Sequence, residues 1–141
     1  MPAFQPTAEQ FRAFRDDPHD GPIAQVNILK FRVKAEYRPD DPEYGADEPG
    51  RFAYQRYADA FGVAAADVGG KCLLMGNVER YFIGNGDWDA VMVMFFPDRK
   101  AFIATLNHAD YKDMHRHRDA GLLCQELLTT RPFRAEGLLD D

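Results

Sequence analysis

The sequence predicts an α+β fold of the ferredoxin-like type, in which a four-stranded antiparallel sheet carries two helices on one face. Three observations predict it. After a first short helix, the predicted elements follow the order β-α-β-β-α-β. Asn85-Gly86 separates two apolar runs, which is the pattern of a two-residue hairpin turn. With 141 residues, 45% of them hydrophobic, the chain is long enough to bury one core of its own.

The first half of the chain alternates short regular elements with one long loop. Residues 7–17 predict a helix with Thr7 as its N-cap. Residues 23–31 are rich in β-branched and aromatic side chains and predict the first strand. Residues 32–50 contain three prolines among many acidic residues and predict an exposed loop, of a length that is often functional or mobile. Residues 51–67 have the apolar periodicity of an amphipathic helix.

The second half predicts the hairpin, two helical stretches and a last strand. The hairpin strands are predicted at 71–83 and 88–96, and Asp98 is the predicted N-cap of the next helix. A broken helical stretch at 107–120 and a strand at 122–131 complete the core. The predicted organisation is a single domain with three parts, namely an N-terminal helical extension (1–21), a ferredoxin-like core (22–131) and a tail (132–141).

A two-residue turn fixes which side chains share a face of the hairpin. It places Ile83 opposite Trp88 and Glu79 opposite Met92. Both faces then carry many apolar side chains, but two helices can cover only one of them. A large open apolar face is a liability in a monomer. The sequence therefore predicts a dimeric α+β barrel, a homodimer formed through the open sheet face.

The composition excludes several classes of protein. The chain contains no serine, which excludes a serine hydrolase, and no phosphate-binding glycine loop is present. The net charge of −6 without a basic stripe argues against a nucleic-acid partner. No apolar run is long enough to span a membrane, so no membrane partner is expected. Cys72 and Cys124 are expected to be buried free thiols, which indicates a cytoplasmic location.

Several short motifs together resemble the domain of unknown function 1330 family, within the dimeric α+β barrel superfamily. They are the Gly69-Gly70-Lys71 entry to the second strand, Trp88, Phe96-Pro97-Asp98, Tyr111 in HADYKDMH and Arg118 in HRHRDAG. The resemblance covers about residues 22–131. It implies the fold and dimerisation but no defined chemistry, because relatives in the superfamily include monooxygenases, isomerases and haem enzymes.

The segment after residue 107 carries the candidate catalytic residues. His108, Tyr111, His115 and Asp119 form one stripe if the helix is continuous. Asp119 is then four residues from His115, close enough to orient its ring for acid-base chemistry. The alternative is a solvated helix face. His115 and His117 diverge by about 200° on a helix, so a shared metal ion is not expected.

Polar residues within apolar strands give the remaining candidates. Gln25, Asn27 and Glu79 form either a buried hydrogen-bond network or the lining of a pocket. Glu79 is a candidate catalytic residue in the second case. Arg118 is a candidate for binding a carboxylate, and an internal ion pair is its alternative. The aromatic and methionine residues are read either as core or as the lining of an aromatic pocket; they are Tyr54, Tyr57, Tyr81, Trp88, Met92 and Met94.

These residues leave three hypotheses of function. The first is a protein that binds a small organic ligand and performs cofactor-independent acid-base chemistry, with His115, Asp119 and Glu79 as catalytic residues. Its ligand-binding residues are Asn27, Tyr111, Arg118 and Trp88, and it requires neither cofactor nor metal. The second is a non-enzymatic accessory homodimer whose acidic loop contacts a protein partner. The third is a haem-binding or oxygen-handling protein of the monooxygenase type.

Overall fold

The computed structural model describes residues 3–139 as eight regular elements around one antiparallel sheet. The strand order is β2-β3-β1-β4, and every neighbouring pair is antiparallel. This is the ferredoxin-like α+β arrangement, as predicted. The elements are α1 (Ala8–Asp16), β1 (Ile23–Phe31), α2 (Gly50–Ala66), β2 (Lys71–Asn77), β3 (Ala90–Phe96), α3 (Arg99–Leu106), α4 (Tyr111–Gly121) and β4 (Leu122–Thr130).

The core lies between the helices and one face of the sheet. Leu29 of β1 and Met92, Met94 and Phe96 of β3 point toward the helices and are almost completely buried. Tyr54, Tyr57 and Phe61 of α2 pack against them. None of the helices in residues 3–139 lies on the opposite sheet face. Val26 and Ile28 of β1 and Val91 and Val93 of β3 are half-buried on that face, and Leu74 and Leu128 at its edges are exposed.

The predicted hairpin register is wrong. β2 ends at Asn77 and β3 begins at Ala90, so the connection is a 78–89 loop rather than a two-residue turn. Asn77 pairs with Ala90, and Met75, not Glu79, lies opposite Met92. The backbone amide of Asp89 donates to the carbonyl of Leu29 on β1. In the loop, Gly84 has a positive φ of 93°, whereas the predicted turn residues Asn85 and Gly86 do not have the positive φ that such a turn requires.

Side-chain contacts explain why the ladder stops early. The hydroxyl of Tyr81 accepts a hydrogen bond from the backbone amide of Trp88 at 2.9 Å, which replaces strand pairing in the loop. Asp89 accepts a hydrogen bond from the Phe31 amide through its carboxylate at 2.8 Å. The first bond joins residues seven positions apart within the loop, and the second joins residues 58 apart. The local Asn-Gly signal reports neither of them.

Several local predictions are confirmed. β1 has the predicted bounds, and Thr7 and Gln10 form a reciprocal capping box at the start of α1. Asp98 caps α3 by accepting a hydrogen bond from the Ala101 amide at 2.8 Å. The helical stretch predicted at 107–120 is a separate helix, α4, which begins four residues later than predicted, at Tyr111.

The 32–50 loop is fixed to the helices by paired charges. Glu43 receives two hydrogen bonds from Arg116 of α4, both at 2.9 Å. Glu48 receives a hydrogen bond of 2.7 Å from Arg56 of α2. The predicted acidic loop thus uses these carboxylates in internal ion pairs.

Helix α4 sits on α2 through a close approach of glycine backbones. A Cβ at Gly121 would lie 2.6 Å from the Tyr54 amide nitrogen and would overlap the carbonyl of Gly50. Only glycine permits this distance, so it fixes the end of α4 against the start of α2.

The two cysteines differ in their surroundings. Cys124 is buried and Cys72 is exposed, because β2 is an edge strand whose residues are largely uncovered; the prediction of a buried Cys72 is wrong. Both are free thiols. Among residues 3–139, no helix is long and apolar enough to cross a bilayer.

Candidate functional site

One face of α4 carries the predicted site residues. Tyr111, His115, Arg118 and Asp119 lie four, three and one residues apart, so a regular helix places them on neighbouring positions. The helix has Asp113 in its first turn and Arg118 in its last turn, which agrees with the helix dipole. The predicted stripe therefore exists from Tyr111 onward, but His108 lies before the helix.

His115 and Asp119 form a half-buried pair. The imidazole Nδ1 lies 3.2 Å from a carboxylate oxygen of Asp119, and the two side chains are 27% and 23% exposed. With Nδ1–H toward the carboxylate, the imidazole Nε2 is left as a proton acceptor. The Tyr111 ring packs against His115 with 5.4 Å between ring centroids. Within residues 3–139, the second oxygen of Asp119 is buried without a hydrogen-bond partner.

Arg118 is buried but is not paired with a carboxylate in residues 3–139. It is 7% exposed, and its Nη2 donates to the side-chain oxygen of Gln125 at 2.8 Å and to the backbone carbonyl of Phe4 at 2.6 Å. The guanidinium carbon lies 4.6 Å from the centroid of the Phe4 ring. In the same part of the chain, its Nη1 is buried and has no hydrogen-bond partner. Burying a charge is costly without a charged partner, so this arginine is incompletely compensated.

A chain of buried amides fixes the position of Arg118. Gln125 Nε2 donates to Asn27 Oδ1 at 3.2 Å, and Asn27 Nδ2 donates to the Met92 carbonyl at 3.2 Å. Gln25 accepts a hydrogen bond from the Thr129 hydroxyl at 2.7 Å. Of the two interpretations of Gln25 and Asn27, the structure favours the buried network. Asn27 is thus linked to Arg118 indirectly, through its hydrogen bond with Gln125.

Two tyrosines of α2, Tyr54 and Tyr57, are buried in the core near Arg118. Burial raises the pKa of Tyr54 and of Tyr57 above the ordinary value, and the nearby Arg118 charge opposes that rise. Both side chains are therefore neutral at physiological pH. Tyr57 also packs edge-on against Tyr111, with 6.5 Å between ring centroids.

A cleft of about 470 Å³ opens beside the His115–Asp119 pair. It is mostly charged, and its lining consists of Phe4, Gln5, Arg32, Glu36, Arg38, Asp41, His115, Arg116 and Asp119. Arg38 reaches Asp119 at 3.5 Å. Arg118 does not line the cleft, although Phe4, which stacks on it, does.

A larger groove of about 700 Å³ shares Arg32 and Glu36 with this cleft. Its basic side chains have nearby partners: Lys30 pairs with Asp87 at 2.9 Å and Lys34 with Asp47 at 3.0 Å. Arg51 lies over the Phe31 ring. We place the candidate site at the smaller cleft because it borders the His115–Asp119 pair, whereas none of the predicted site residues lines the groove.

His117 faces away from His115, as the helical spacing predicts. Its Nδ1 lies 2.7 Å from the Tyr37 hydroxyl, which also receives a hydrogen bond of 2.9 Å from Arg56. The two histidines therefore have different partners on opposite sides of α4. Residues 3–139 hold no group of three His, Cys, Asp or Glu side chains that could bind a metal ion.

Two predicted site residues lie elsewhere. Glu79 is exposed in the 78–89 loop, and Trp88 is half-buried in the same loop. Neither lines the 470 Å³ cleft. The reason is the early end of β2, which leaves Glu79 outside the strand on which it was predicted. Their functional roles stay predictions.

Sequence reasoning missed Phe4, Arg38 and Gln125. Gln125 had a usable signal, because it is a polar residue within an apolar strand, as Asn27 is. Phe4 had none, since its contact with Arg118 joins residues 114 positions apart. Arg38 lies in a loop whose path depends on distant ion pairs.

Known structures resemble this chain over nearly its whole length. A protein of unknown function from Rhodopseudomonas palustris, RPA0582, is 28% identical, covers 96% of this chain and 100% of its own, and superposes with a TM-score of 0.82. SnoaB, a cofactor-independent oxygenase from Streptomyces nogalater, is 11% identical over 83% of this chain and 98% of its own, with a TM-score of 0.52. The latter similarity concerns the fold alone. No curated protein matches this chain.

The sequence also matches a family model. The match covers residues 49–128, which is more than half of the chain and includes α2, the hairpin, α4 and most of β4. It contains all five motifs of the resemblance, but Phe4, whose ring and carbonyl contact Arg118, lies outside it. The chain belongs to the family described as a domain of unknown function, DUF1330.

Proposed function

We propose that this protein binds a small organic acid at Arg118 and transfers a proton of that acid through His115. The observation that carries this proposal is a buried arginine without a carboxylate partner in residues 3–139, three residues from a His–Asp pair on the same helix face. A carboxylate is the natural partner of a guanidinium, because it accepts two parallel hydrogen bonds and neutralises the charge. The ligand would supply the missing charge.

His115 has the features of a general base. Asp119 holds the Nδ1 side of the ring at 3.2 Å, which leaves Nε2 as the acceptor. Tyr111 packs on the ring and restricts its orientation. In this proposal Asp119 is a positioning residue and Asn27 supports Arg118 through Gln125. We assign no role to Glu79 or Trp88, because both lie in the 78–89 loop and neither is on α4 or in the lining of the cleft.

Deuterium exchange of an acidic C–H bond tests the proposal directly. Phenylpyruvate is a suitable probe because it has a carboxylate, an aromatic ring and an acidic C–H group. We expect the protein to accelerate the exchange of that group in D₂O, followed by proton NMR. His115→Gln should lower the rate by about 100-fold or more, the range typical of a lost general base, while phenylpyruvate still binds.

Two variants serve as controls. His117→Gln changes the neighbouring histidine on the opposite side of α4 and should leave the exchange rate unchanged. Arg118→Met should abolish binding of phenylpyruvate, measured by calorimetry. Equal exchange rates in the wild type and His115→Gln, or no rate above buffer, would reject the proposed chemistry.

We also propose a homodimer through the sheet face that no helix covers. Half-buried valines and isoleucine form its centre, with exposed Leu74 and Leu128 at the edges. Such a face is favourable to bury against a second copy.

Val93→Lys should give a monomer in size-exclusion chromatography with light scattering. Val63→Lys, at an exposed position of α2, should leave the mass unchanged; a monomeric wild type would contradict the proposal.

The second hypothesis, an acidic loop that contacts a protein partner, has less support. Glu43 and Glu48 bind Arg116 and Arg56 of the same chain. A partner would have to compete with these internal pairs.

A further inference from the structure

The segment before α1 covers the arginine that the proposed ligand needs. Residues 3–6, here called the N-terminal segment, run past Arg118 and contact β4. Phe4 stacks on the guanidinium and its carbonyl receives a hydrogen bond of 2.6 Å from Nη2. The Ala3 carbonyl accepts a hydrogen bond of 2.8 Å from the Gln125 amide.

The carbonyl of Phe4 accepts a hydrogen bond from only one of the two terminal nitrogens of Arg118. A backbone carbonyl offers one neutral oxygen, and it reaches Nη2 alone. Nη1 is buried without a partner in residues 3–139. A carboxylate offers two oxygens and a negative charge, which matches both terminal nitrogens of an arginine. The site is therefore better suited to a carboxylate than to the group that occupies it.

The N-terminal segment is only partly integrated into the fold. Phe4 is half-buried and packs against the edge of the core, and the other three residues are exposed. Helix α1 does not depend on it, because Thr7 and Gln10 cap the helix by themselves. Further along, Phe14 anchors α1 on Phe102, with 5.4 Å between ring centroids. Loss of the segment would thus break its bonds to Arg118 and Gln125 and leave the anchored helix in place.

We propose that the N-terminal segment is a lid on the organic-acid site, and that a ligand carboxylate takes the position of the Phe4 carbonyl on Arg118. This inference rests on the proposed function, since it concerns the same ligand. The closed lid lowers the apparent affinity, because only molecules with an open lid can bind. Ligand binding and lid closure are then mutually exclusive.

Removal of the lid provides the first test, with benzoate as a probe that binds but does not react. A variant that lacks residues 1–6 is always open, so we expect it to bind benzoate about tenfold more tightly than the wild type, measured by calorimetry. Phe4→Ala keeps the carbonyl but loses the ring and should give a smaller gain. Phe133→Ala, which removes a phenylalanine that is 97% exposed, is the matched control and should change nothing.

Hydrogen exchange at one amide provides the second test. The Gln125 amide is protected by the Ala3 carbonyl when the lid is closed. Benzoate should therefore speed its exchange in the wild type, followed by NMR. A ligand that only added contacts would slow exchange instead, so the direction of the change is diagnostic.

The outcomes separate this inference from the proposed function. Equal or weaker benzoate binding by the truncated variant, or slower exchange at Gln125, would overturn the lid. In that case phenylpyruvate exchange by the wild type could still establish the proton transfer. Tighter benzoate binding by the truncated variant, lost again when Arg118→Met is added, would support the lid even if no proton transfer is found.

Discussion

Two groups of polar residues on α4, here called its loop side and its site side, differ in how completely they are paired. On the loop side, Arg116 and His117 bind Glu43 and Tyr37 of the 32–50 loop, although Arg116 also borders the cleft. On the site side, Arg118 and Asp119 each keep a buried polar atom without a partner in residues 3–139. The sequence HRHRDAG supplies the same residue types to both sides. The type of residue therefore does not separate a structural role from a functional one, whereas the completeness of its hydrogen bonding does.

This difference has a physical basis. A fully paired charged group gains its energy within the folded chain and stabilises a fixed arrangement. An incompletely paired group costs folding energy, and a ligand that completes it recovers that energy on binding. We therefore expect substitutions on the Arg116–His117 side to change stability and substitutions on the Arg118–Asp119 side to change binding.

The largest expected effect on stability comes from the glycine contact that fixes α4 against α2, because both groups of residues lie on α4. Gly121→Ala places a Cβ against the backbone of Gly50 and Tyr54, where neither can give way. We expect a loss of about 3 kcal/mol in the free energy of unfolding, measured with urea. Gly62→Ala, within α2, meets no atom within 4 Å and should instead stabilise by about 0.5 kcal/mol. Similar stabilities for the two variants would show that α4 is not fixed in this way.

Tyr37→Phe should cost about 2 kcal/mol of stability, the next largest effect. The Tyr37 hydroxyl bonds both His117 and Arg56 in a largely buried place, and its removal leaves both without that partner. The exchange of phenylpyruvate should be unaffected.

Asp119→Asn should give the reverse result on the other side of the helix. Its stability should stay within about 0.5 kcal/mol of the wild type. Its exchange rate should fall about tenfold or more, because the amide no longer holds the imidazole as the carboxylate does. If Tyr37→Phe slows exchange as much as Asp119→Asn does, the distinction between the two sides is wrong.

The sequence predicts the parts of this comparison that depend on neighbouring residues. The four-residue spacing of His115 and Asp119 and the divergence of His117 follow from helical geometry. The bounds of β1 and the cap at Asp98 follow from local composition in the same way. These features need no knowledge of the rest of the chain.

The sequence does not predict the long-range hydrogen bonds that distinguish the two sides of α4. Tyr37 and His117 are 80 residues apart, and Phe4 and Arg118 are 114 apart. Such contacts depend on the path of whole segments, and many alternative partners of the same type exist. The predicted two-residue turn is wrong for a related reason, since Asp89 bonds to Leu29 and Phe31 of β1, and the local Asn-Gly signal does not report such contacts.

The Glu43–Arg116 pair predicts a loss of stability in acid. The Arg116 guanidinium, through its hydrogen bonds, lowers the pKa of Glu43 from 4.5 to about 2. The contribution of the pair is therefore complete above pH 4.5 and is lost as the pH falls toward about 2. We expect about 1 kcal/mol or less, because the two side chains are 27% and 28% exposed. Urea unfolding of the wild type and Glu43→Gln should converge at the acid end; a constant difference would contradict the assignment.

The smallest effect concerns His117 and a higher pH range. Burial, and secondarily the Arg116 charge, lowers the pKa of His117 below 6.5, and Arg56 acts in the same direction while Glu43 and Asp41 oppose it. The unfolded chain therefore takes up the proton first, so stability is constant above pH 6.5 and declines below it until the folded protein is also protonated.

The decline should be small, because the Tyr37 hydroxyl can accept a hydrogen bond from a protonated imidazole as well as donate to a neutral one. His117→Gln should remove this part of the slope when urea unfolding is compared between about pH 8 and about pH 5. His115→Gln should retain it. If His115→Gln removes it instead, the titrating histidine is on the site side of α4, and pairing does not distinguish the two sides as we infer.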